Sequence, residues 1–284
     1  MPATPPVVGA AAMAAADPLP VELAGLQRLT LRDAVVISDL HLAATAPLTL
    51  ARFLRFCAEE AAAHAELLIL GDLFEAWVGD DSLDADDDAV ARPVAAALRR
   101  LADHGVQVYL MHGNRDLLLG AAFLRATGAQ LLADPCVAAL GDRLALLSHG
   151  DAWCTQDVDY QRFRATVRQA ATQRQFLAGP RAARLAFMGA ARAQSEAGKQ
   201  AKAMAIMDVT PAAVEAALRA AGLRLLVHGH THRPAVHGFL LDGEPAERWV
   251  LPDWDFDVPP GATARGGYLH ADSAGTLRAV ALTP

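Results

Sequence analysis

Five short apolar runs in this chain each end in residues that bind hard or borderline metal ions. Residues 34–38 run into Asp39-Leu40-His41, 67–70 into Gly71-Asp72, and 106–111 into His112-Gly113-Asn114-Arg115-Asp116. Residues 144–148 run into His149-Gly150-Asp151, and 223–227 into His228-Gly229-His230-Thr231-His232. Seven candidate ligands gather in this way: Asp39, His41, Asp72, Asn114, His149, His230 and His232. Carboxylate, imidazole and one amide carbonyl, without a thiolate, suit Mn²⁺, Fe²⁺, Co²⁺ or Zn²⁺ better than Ca²⁺ or an iron–sulfur cluster. Seven donors exceed one closed tetrahedral site. They fit two ions sharing a carboxylate, and ions about 3.5–4 Å apart can hold a hydroxide and clamp a phosphoryl group. A single Asp or His after a strand means little; five such ends in one chain argue for convergence on a metal site.

The elements that must position these residues follow from the same runs. Apolar stretches without polar alternation read as buried central strands. In open α/β folds ligands collect at the carboxyl ends of such strands. Helical patterns lie between the runs, at about residues 47–65, 85–104, 117–127 and 211–221, and a β-rich tail runs from His237 to the end. The fold class expected is therefore α/β. Each glycine that lies beside a ligand lets the backbone turn sharply or come close to the site.

Composition bounds the rest. The 284 residues are 53% hydrophobic with a net charge of −7, enough for a sizeable core in one large domain or two small ones. No apolar run reaches the length of a transmembrane helix. Cys57, Cys136 and Cys154 have no metal-like spacing and read as reduced thiols in or near the core. Residues 1–16 are Ala- and Pro-rich and lack the basic start of a signal peptide. Residues 1–33 are therefore expected to be a disordered extension (Met13 being an alternative start), with the domain spanning 34–284. The acidic run 80–88 lacks the Gly and closing Glu of a calcium loop. It reads as a solvated loop whose later Asp residues favour a following helix start. His64 and His104 read as surface or capping residues, and His270 as a strand residue with no visible partner. His112, His228 and His237 read as orienting donors or core residues, outside the site.

Residues 157–206 differ from the rest. Nine Lys and Arg there face only Asp157, Asp159 and Glu196, and both lysines of the chain, Lys199 and Lys202, are among them. The segment is helical in pattern, with Tyr160, Phe163, Val167, Phe176, Leu177, Leu185, Phe187 and Met188 spaced as on helix faces. It fits either a solvated hairpin packed on the core or a lid over the metal crevice, offering greasy surface to acyl chains and cations to phosphates. A nucleic-acid role is not expected, since a long basic stripe and an aromatic stacking platform are both missing.

The ordered motifs D-x-H, G-D, G-N-x-D, H-G-D and G-H-T-H resemble those of the calcineurin-like metallophosphoesterases. Residues 69–81, 112–116, 205–209 and 228–237 resemble one branch in particular, the UDP-2,3-diacylglucosamine hydrolases of lipid A biosynthesis, and the likeness runs over about 34–252. The resemblance implies two packed mixed β-sheets flanked by helices, with 157–206 as a helical lid. It implies two Mn²⁺ ions, with Fe, Co or Zn as substitutes. Asp39, His41, Asp72 and His232 would hold one, and Asp72, Asn114, His149 and His230 the other. A carboxylate has two oxygens, so Asp72 can touch both ions, whereas Asn114 offers only its carbonyl. Asp72, Asn114, Arg115 and His149 are the expected catalytic residues. Asn114, Arg115, Asp157, Ser195, Lys199, Lys202 and His230 are the expected substrate contacts. Most of the family has His where this chain has Arg115. Arg cannot serve as an acid near neutral pH. That suits a pyrophosphate, whose leaving phosphate is already a stable anion, and Arg115 can fork onto phosphate oxygens. The implied reaction is attack of metal-activated water on the α-phosphorus, giving UMP and 2,3-diacylglucosamine 1-phosphate. The implied setting is peripheral, on the cytoplasmic face of a bacterial inner membrane, with a monomer slightly favoured. Another phosphoesterase activity, or a non-catalytic scaffold on the same fold, are the alternatives.

Overall fold

The structure, a computed structural model, describes residues 25–201 and 208–284; within them the side chains of 192–201 are not described. Twelve strands form two mixed six-stranded sheets. One contains β2 (Ala34–Ile37), β3 (Glu66–Leu70), β4 (Gln107–Met111), β5 (Gln130–Leu132), β11 (Gly267–Ala271) and β12 (Leu277–Ala281), in the order β12-β11-β2-β3-β4-β5. The other contains β1 (Arg28–Leu31), β6 (Cys136–Leu140), β7 (Arg143–Ser148), β8 (Leu225–His228), β9 (Ala235–Leu241) and β10 (Glu244–Val250), in the order β1-β6-β7-β8-β10-β9.

Strand side chains alternate between faces, so an unbroken apolar run has two faces to bury. Val35, Ile37, Leu67 and Ile69 face outward onto α1 (Pro47–Glu59), α2 (Ala91–Asp103) and α3 (Ala121–Thr127). Ala34, Val36, Leu68 and Leu70 face inward and meet Ala145, Leu147, Leu225 and Val227 of the second sheet. Leu146 and Leu226 face the far side, where α7 (Pro211–Ala221) lays down Val214 and Leu218. The result is a four-layer arrangement of helix, sheet, sheet and helix. Each fully buried Leu, Ile or Val contributes about 1.5–3 kcal/mol.

Between β7 and α7 lie α4 (Val158–Val167), α5 (Ala170–Leu177) and α6 (Arg181–Ala201). They coincide with the segment read as a helical insertion. Val158, Phe163, Leu177, Leu185 and Phe187 of this segment are exposed.

Four boundaries differ from the sequence reading, one of them the helix expected from 117, which starts at Ala121. Arg28–Leu31 is not part of an extension: it pairs in parallel with Val137–Leu140 as an edge strand of the second sheet. Four residues with mixed exposure leave too weak a pattern to read. Residues 1–24 of the expected extension lie outside the described residues. The helix expected from 85 starts at Ala91, because Asp88 Oδ1 accepts from the backbone of Val90 and Ala91 and sets the start there. The helix expected to reach 65 ends at Glu59, and a short 3₁₀ turn, Ala61–Ala63, follows.

Candidate metal centre

The expected ligands sit in loops at the carboxyl ends of β2, β3, β4, β7 and β8, and the loops are laced to one another. Asp39 N donates to Gly71 O at 3.1 Å, and Leu40 N and His41 N both donate to Asp72 O at 2.9 and 3.0 Å. Gly229 N donates to His149 O at 3.0 Å. Asp116 is buried and accepts from Leu73 N at 2.7 Å and Gly113 N at 2.8 Å, binding the β3 and β4 loops together. Glycine is required where these loops touch: a Cβ on Gly113 would collide with the Asp72 carboxylate, and one on Gly229 with Ser38 and Asp39.

Asp72 lies between two clusters. Its Oδ2 is 3.8 Å from His41 Nε2, and its Oδ1 is 3.8 Å from His149 Nε2. On the first side, His41 Nε2 is 3.2 Å from His232 Nε2, which lies 3.5 Å from Asp39 Oδ1. On the second side, Asn114 Oδ1 is 3.1 Å from His149 Nε2 and 3.0 Å from His230 Nδ1. The structure thus brings all seven expected ligands together, grouped as expected on either side of one carboxylate.

Three observations make this donor set fit divalent metal. Asp39 Oδ1 is buried with no hydrogen-bond partner, while its Oδ2 takes Ser38 Oγ at 2.5 Å and His230 N at 2.8 Å. The imidazoles are aimed by their second nitrogens. His149 Nδ1 donates to Leu70 O at 2.9 Å, which turns Nε2 towards Asp72 and Asn114. His41 Nδ1 is 3.0 Å from Glu75 Oε2, and His232 Nδ1 is 3.5 Å from Asp253 Oδ2. Carboxylate and carbonyl partners of this kind orient metal-binding histidines. The third observation is backbone strain. Among the described residues, non-glycine positive φ occurs at Asp39 (56°), His41 (49°), Asp72 (54°), His230 (68°), His232 (53°) and Asp242 (54°). Asp242-Gly243 joins β9 to β10, where a two-residue turn calls for left-handed residues. The other five are expected ligands, and no hairpin turn accounts for them. Such conformations cost about 1–2 kcal/mol per residue and cluster where function needs them.

Electrostatics separates two neighbouring imidazoles, His149 and His230, whose rings are 5.0 Å apart. Burial opposes charge on both. At His149 the carboxylates of Asp72 and Asp39 outweigh burial, and its pKa is pushed up to about 9. At His230 burial and the neighbouring His149 prevail, and its pKa is held down to about 4. Burial also works against the charge of Asp39, but His232, His149 and His41 overcome it and hold the carboxyl well below the usual range.

The helical insertion is fastened beside this centre at two points. Asp151, directly after His149-Gly150, is fully buried and accepts from Tyr160 Oη at 2.6 Å, Arg164 Nε at 2.9 Å and Arg168 Nη2 at 3.3 Å, all from α4 or its end. The Tyr160 ring lies 5.8 Å from that of His230. At the start of α6, Arg181 pairs with Asp87 at 2.6 Å and Asp88 at 3.2 Å, and Arg184 pairs with Asp81. Asp80 accepts from Gly120, Ala122 and Phe123 N at 2.8–3.1 Å and so caps α3. The acidic run is therefore more than a solvated loop: it anchors one helix and caps another.

Arg115 donates its backbone N–H to Asp72 Oδ1 at 2.8 Å, and its guanidinium reaches Glu75 Oε1 at 3.4 Å rather than Asp116. Asp157 is the N-cap of α4, accepting from Tyr160 N at 3.2 Å. Ser195 and Lys199 fall on α6 where side chains are outside the description, and Lys202 lies outside the described residues. His112 Nε2 is 2.8 Å from Leu119 O, and His228 Nδ1 is 2.8 Å from Gly229 O. Sequence reasoning missed Glu75, Tyr160 and Asp253. Glu75 sits three residues after Asp72, but nothing in that spacing shows that it reaches back to His41. His270 does have partners, Asp33 and His64.

The fold and this centre define a metallophosphoesterase-type protein: residues 34–234 match the calcineurin-like phosphoesterase family, and the chain belongs to it. The chain is 51% identical over 221 residues to the UDP-2,3-diacylglucosamine hydrolase of Chromohalobacter salexigens, covering 78% of this chain and 88% of that protein. It is 49% identical over 243 residues to the UDP-2,3-diacylglucosamine hydrolase of Bordetella pertussis, covering 84% and 91%. Among solved structures, Vps29 from Entamoeba histolytica with Zn²⁺ matches with a TM-score of 0.39 at 12% identity, over 88% of this chain and 98% of that one.

Proposed function

We propose that this chain is a metal-dependent UDP-2,3-diacylglucosamine hydrolase, cleaving the pyrophosphate bond to UMP and 2,3-diacylglucosamine 1-phosphate in lipid A biosynthesis. The observation that carries the metal-dependent chemistry is the pair of donor clusters joined at Asp72. The relatives' shared name and high identity carry the substrate.

Asp39, His41, Asp72 and His232 would hold one ion, and Asp72, Asn114, His149 and His230 the other; a carboxylate–imidazole set of this kind suits Mn²⁺, with Fe, Co or Zn as substitutes. Bound there, two divalent ions supply an acidified water and screening of charge on the phosphoryl group. The chain's own residues do the rest. Glu75 and Leu70 O hold His41 and His149 in one orientation each. Arg115, at the edge of the centre and 17% exposed, can turn from Glu75 onto phosphate oxygens. With no acid at that position, the leaving group must depart as an anion, which a phosphate monoester does readily. Asn114, His230 and Asp157, with Ser195, Lys199 and Lys202 of the insertion, are the proposed substrate contacts.

The insertion serves as the lid. Tyr160 stacks near His230, while Val158, Phe163, Leu177, Leu185 and Phe187 leave apolar surface for acyl chains beside arginines for phosphate. No helix among the described residues is long and apolar enough to cross a membrane. We place the enzyme on the cytoplasmic face of the inner membrane as a peripheral protein, drawn to anionic lipid by the lid's cations.

The test is turnover of UDP-2,3-diacylglucosamine in detergent, with Mn²⁺ and with chelator, in oxygen-labelled water. UMP carrying the label, formed only with metal, is the expected result. Metal-dependent cleavage of simple phosphodiesters without turnover of the lipid would keep the centre and overturn the substrate.

A further inference from the structure

Among the described residues, three groups of potential ligands have donor atoms within 4.8 Å of one another: two belong to the centre above, and the third is Asp33, His64 and His270. This third group lies at the opposite end of the sheet. Asp33 immediately precedes β2 and His64 closely precedes β3, whereas the centre follows those strands; Asp39 lies six steps along the chain from Asp33, about 20 Å at the rise of extended chain.

The three side chains come from three separate elements. Asp33 sits in the turn between β1 and β2. That turn is held by the buried Glu66 carboxylate, which accepts from Arg32 N at 3.1 Å and Asp33 N at 3.0 Å. His64 ends the 3₁₀ turn after α1, and the backbone of Ala65 donates to Asp33 O at 2.9 Å. His270 lies in the middle of β11, opposite Val35. Their functional atoms already converge: His64 Nδ1 is 3.0 Å from Asp33 Oδ2, and His270 Nε2 is 2.6 Å from Asp33 Oδ1. The two imidazole rings are 4.7 Å apart. In a tetrahedral zinc site with bonds of about 2.0–2.1 Å, neighbouring donor atoms lie about 3.3 Å apart. The group needs only small adjustments to match.

We propose that Asp33, His64 and His270 form a further divalent-metal site, a two-histidine, one-carboxylate site for Zn²⁺ or a similar first-row ion. The metal takes the place of the protons now shared between each imidazole and the carboxylate. Side-chain exposures of 40% for Asp33, 18% for His64 and 16% for His270 give the ion a path in and leave room for water as a fourth ligand. Binding ties β11, near the end of the chain, to the start of β2 and to the turn before β3. The role assigned to it is structural, because its three side chains join three separate elements.

Zinc content per chain, measured after equilibration with Zn²⁺ and removal of the excess, tests this. The wild-type chain is compared with the His64→Gln/His270→Gln variant, and Mn²⁺-supported activity is measured in both. The expected result is one zinc fewer in the variant with unchanged kcat, whatever number the other centre holds. Crystals of the wild-type chain soaked in Zn²⁺ should show an anomalous peak between the three side chains, which decides the matter even where the variant folds poorly. Equal zinc content in the two folded proteins, or no peak at that position, identifies a hydrogen-bonded His–Asp–His cluster without metal and overturns the proposal.

Discussion

Replacing Asp151 with alanine tests whether one buried carboxylate fastens the helical insertion to the loop that carries His149. The substitution removes the acceptor of Tyr160 Oη, Arg164 Nε and Arg168 Nη2 at once. Removing one partner of a buried ion pair costs about 3–5 kcal/mol. The guanidinium groups here are 21% and 23% exposed, so water recovers part of the loss. We expect a destabilisation of about 2–4 kcal/mol, discounting the buried-pair figure for that partial solvation. In a chain of this size that lowers Tm by about 4–8 °C, at roughly 2 °C per kcal/mol. Asp151→Asn keeps the shape and one accepting oxygen, and should lose about half as much. Thermal unfolding of both variants gives the stability side. Steady-state kinetics gives the functional side: with α4 released, Tyr160 leaves its place near His230 and Asp157, the N-cap of that helix, moves with it, so KM should rise several-fold more than kcat falls. An Asp151→Ala protein melting within about 1 °C of wild type would refute the reasoning, because the stranded cations would then have cost nothing.

Glu75→Ala removes the partner of His41 Nδ1; Mn²⁺ affinity, read from activation titrations, should fall about 10–100-fold. Asp257→Ala removes the carboxylate that accepts from Leu48 N and Thr49 N at 3.0 and 2.8 Å and caps α1, a loss of about 1 kcal/mol by urea unfolding at pH 7. Burial opposes the charge of Asp257 but these hydrogen bonds lower its pKa below the ordinary 3.8, so its contribution is full above that pH and disappears as pH falls through the lower folded value. Wild type and variant should therefore converge in stability at the acid end. His41→Gly and His41→Ala both remove a ligand, but alanine must hold a φ of 49° that glycine adopts freely. In metal-free protein the Gly variant should be the more stable by about 1 kcal/mol, reversing the usual order, and an Ala variant of equal or greater stability would remove strain from the argument.

Much of the site was legible because strand and loop chemistry repeat along the chain. Residues 34–37 and 67–70 have no polar alternation, and both of their faces are buried, one on helices and one on the other sheet. The ligands follow such runs directly, so sequence position alone placed them at strand ends. What stayed hidden depends on distances across the fold. Glu75 reaches His41, Asp253 reaches His232, and Asp33 meets His270, separated by 237 residues, only after the sheets form. The acidic run misled for a related reason. Its carboxylates read as solvated until α6 brings Arg181 and Arg184 and the start of α3 brings bare N–H groups. The edge strand Arg28–Leu31 was missed because four residues of mixed exposure carry too little pattern to compete with the composition of the segment before them.

The left-handed backbone at five of the expected ligands explains why the loops are so heavily cross-linked. Five strained residues at about 1–2 kcal/mol each would represent a large share of the 5–15 kcal/mol that holds an ordinary domain together. Left to themselves these loops would relax, and the imidazoles would turn away from Asp72. They do not relax because each is tied to another: the β2 loop to Gly71 and Asp72, the β8 loop to His149, and the β10 end to His228. Those bonds join backbone groups, so they survive changes of side chain, and they place the cost of strain on the sheets rather than on the ligands. Glycine at 113 and 229 serves the same end, because it lets two loops approach until a carboxylate fills the space of the missing Cβ. The fold therefore supplies the donor geometry in advance, and binding an ion need not organise it.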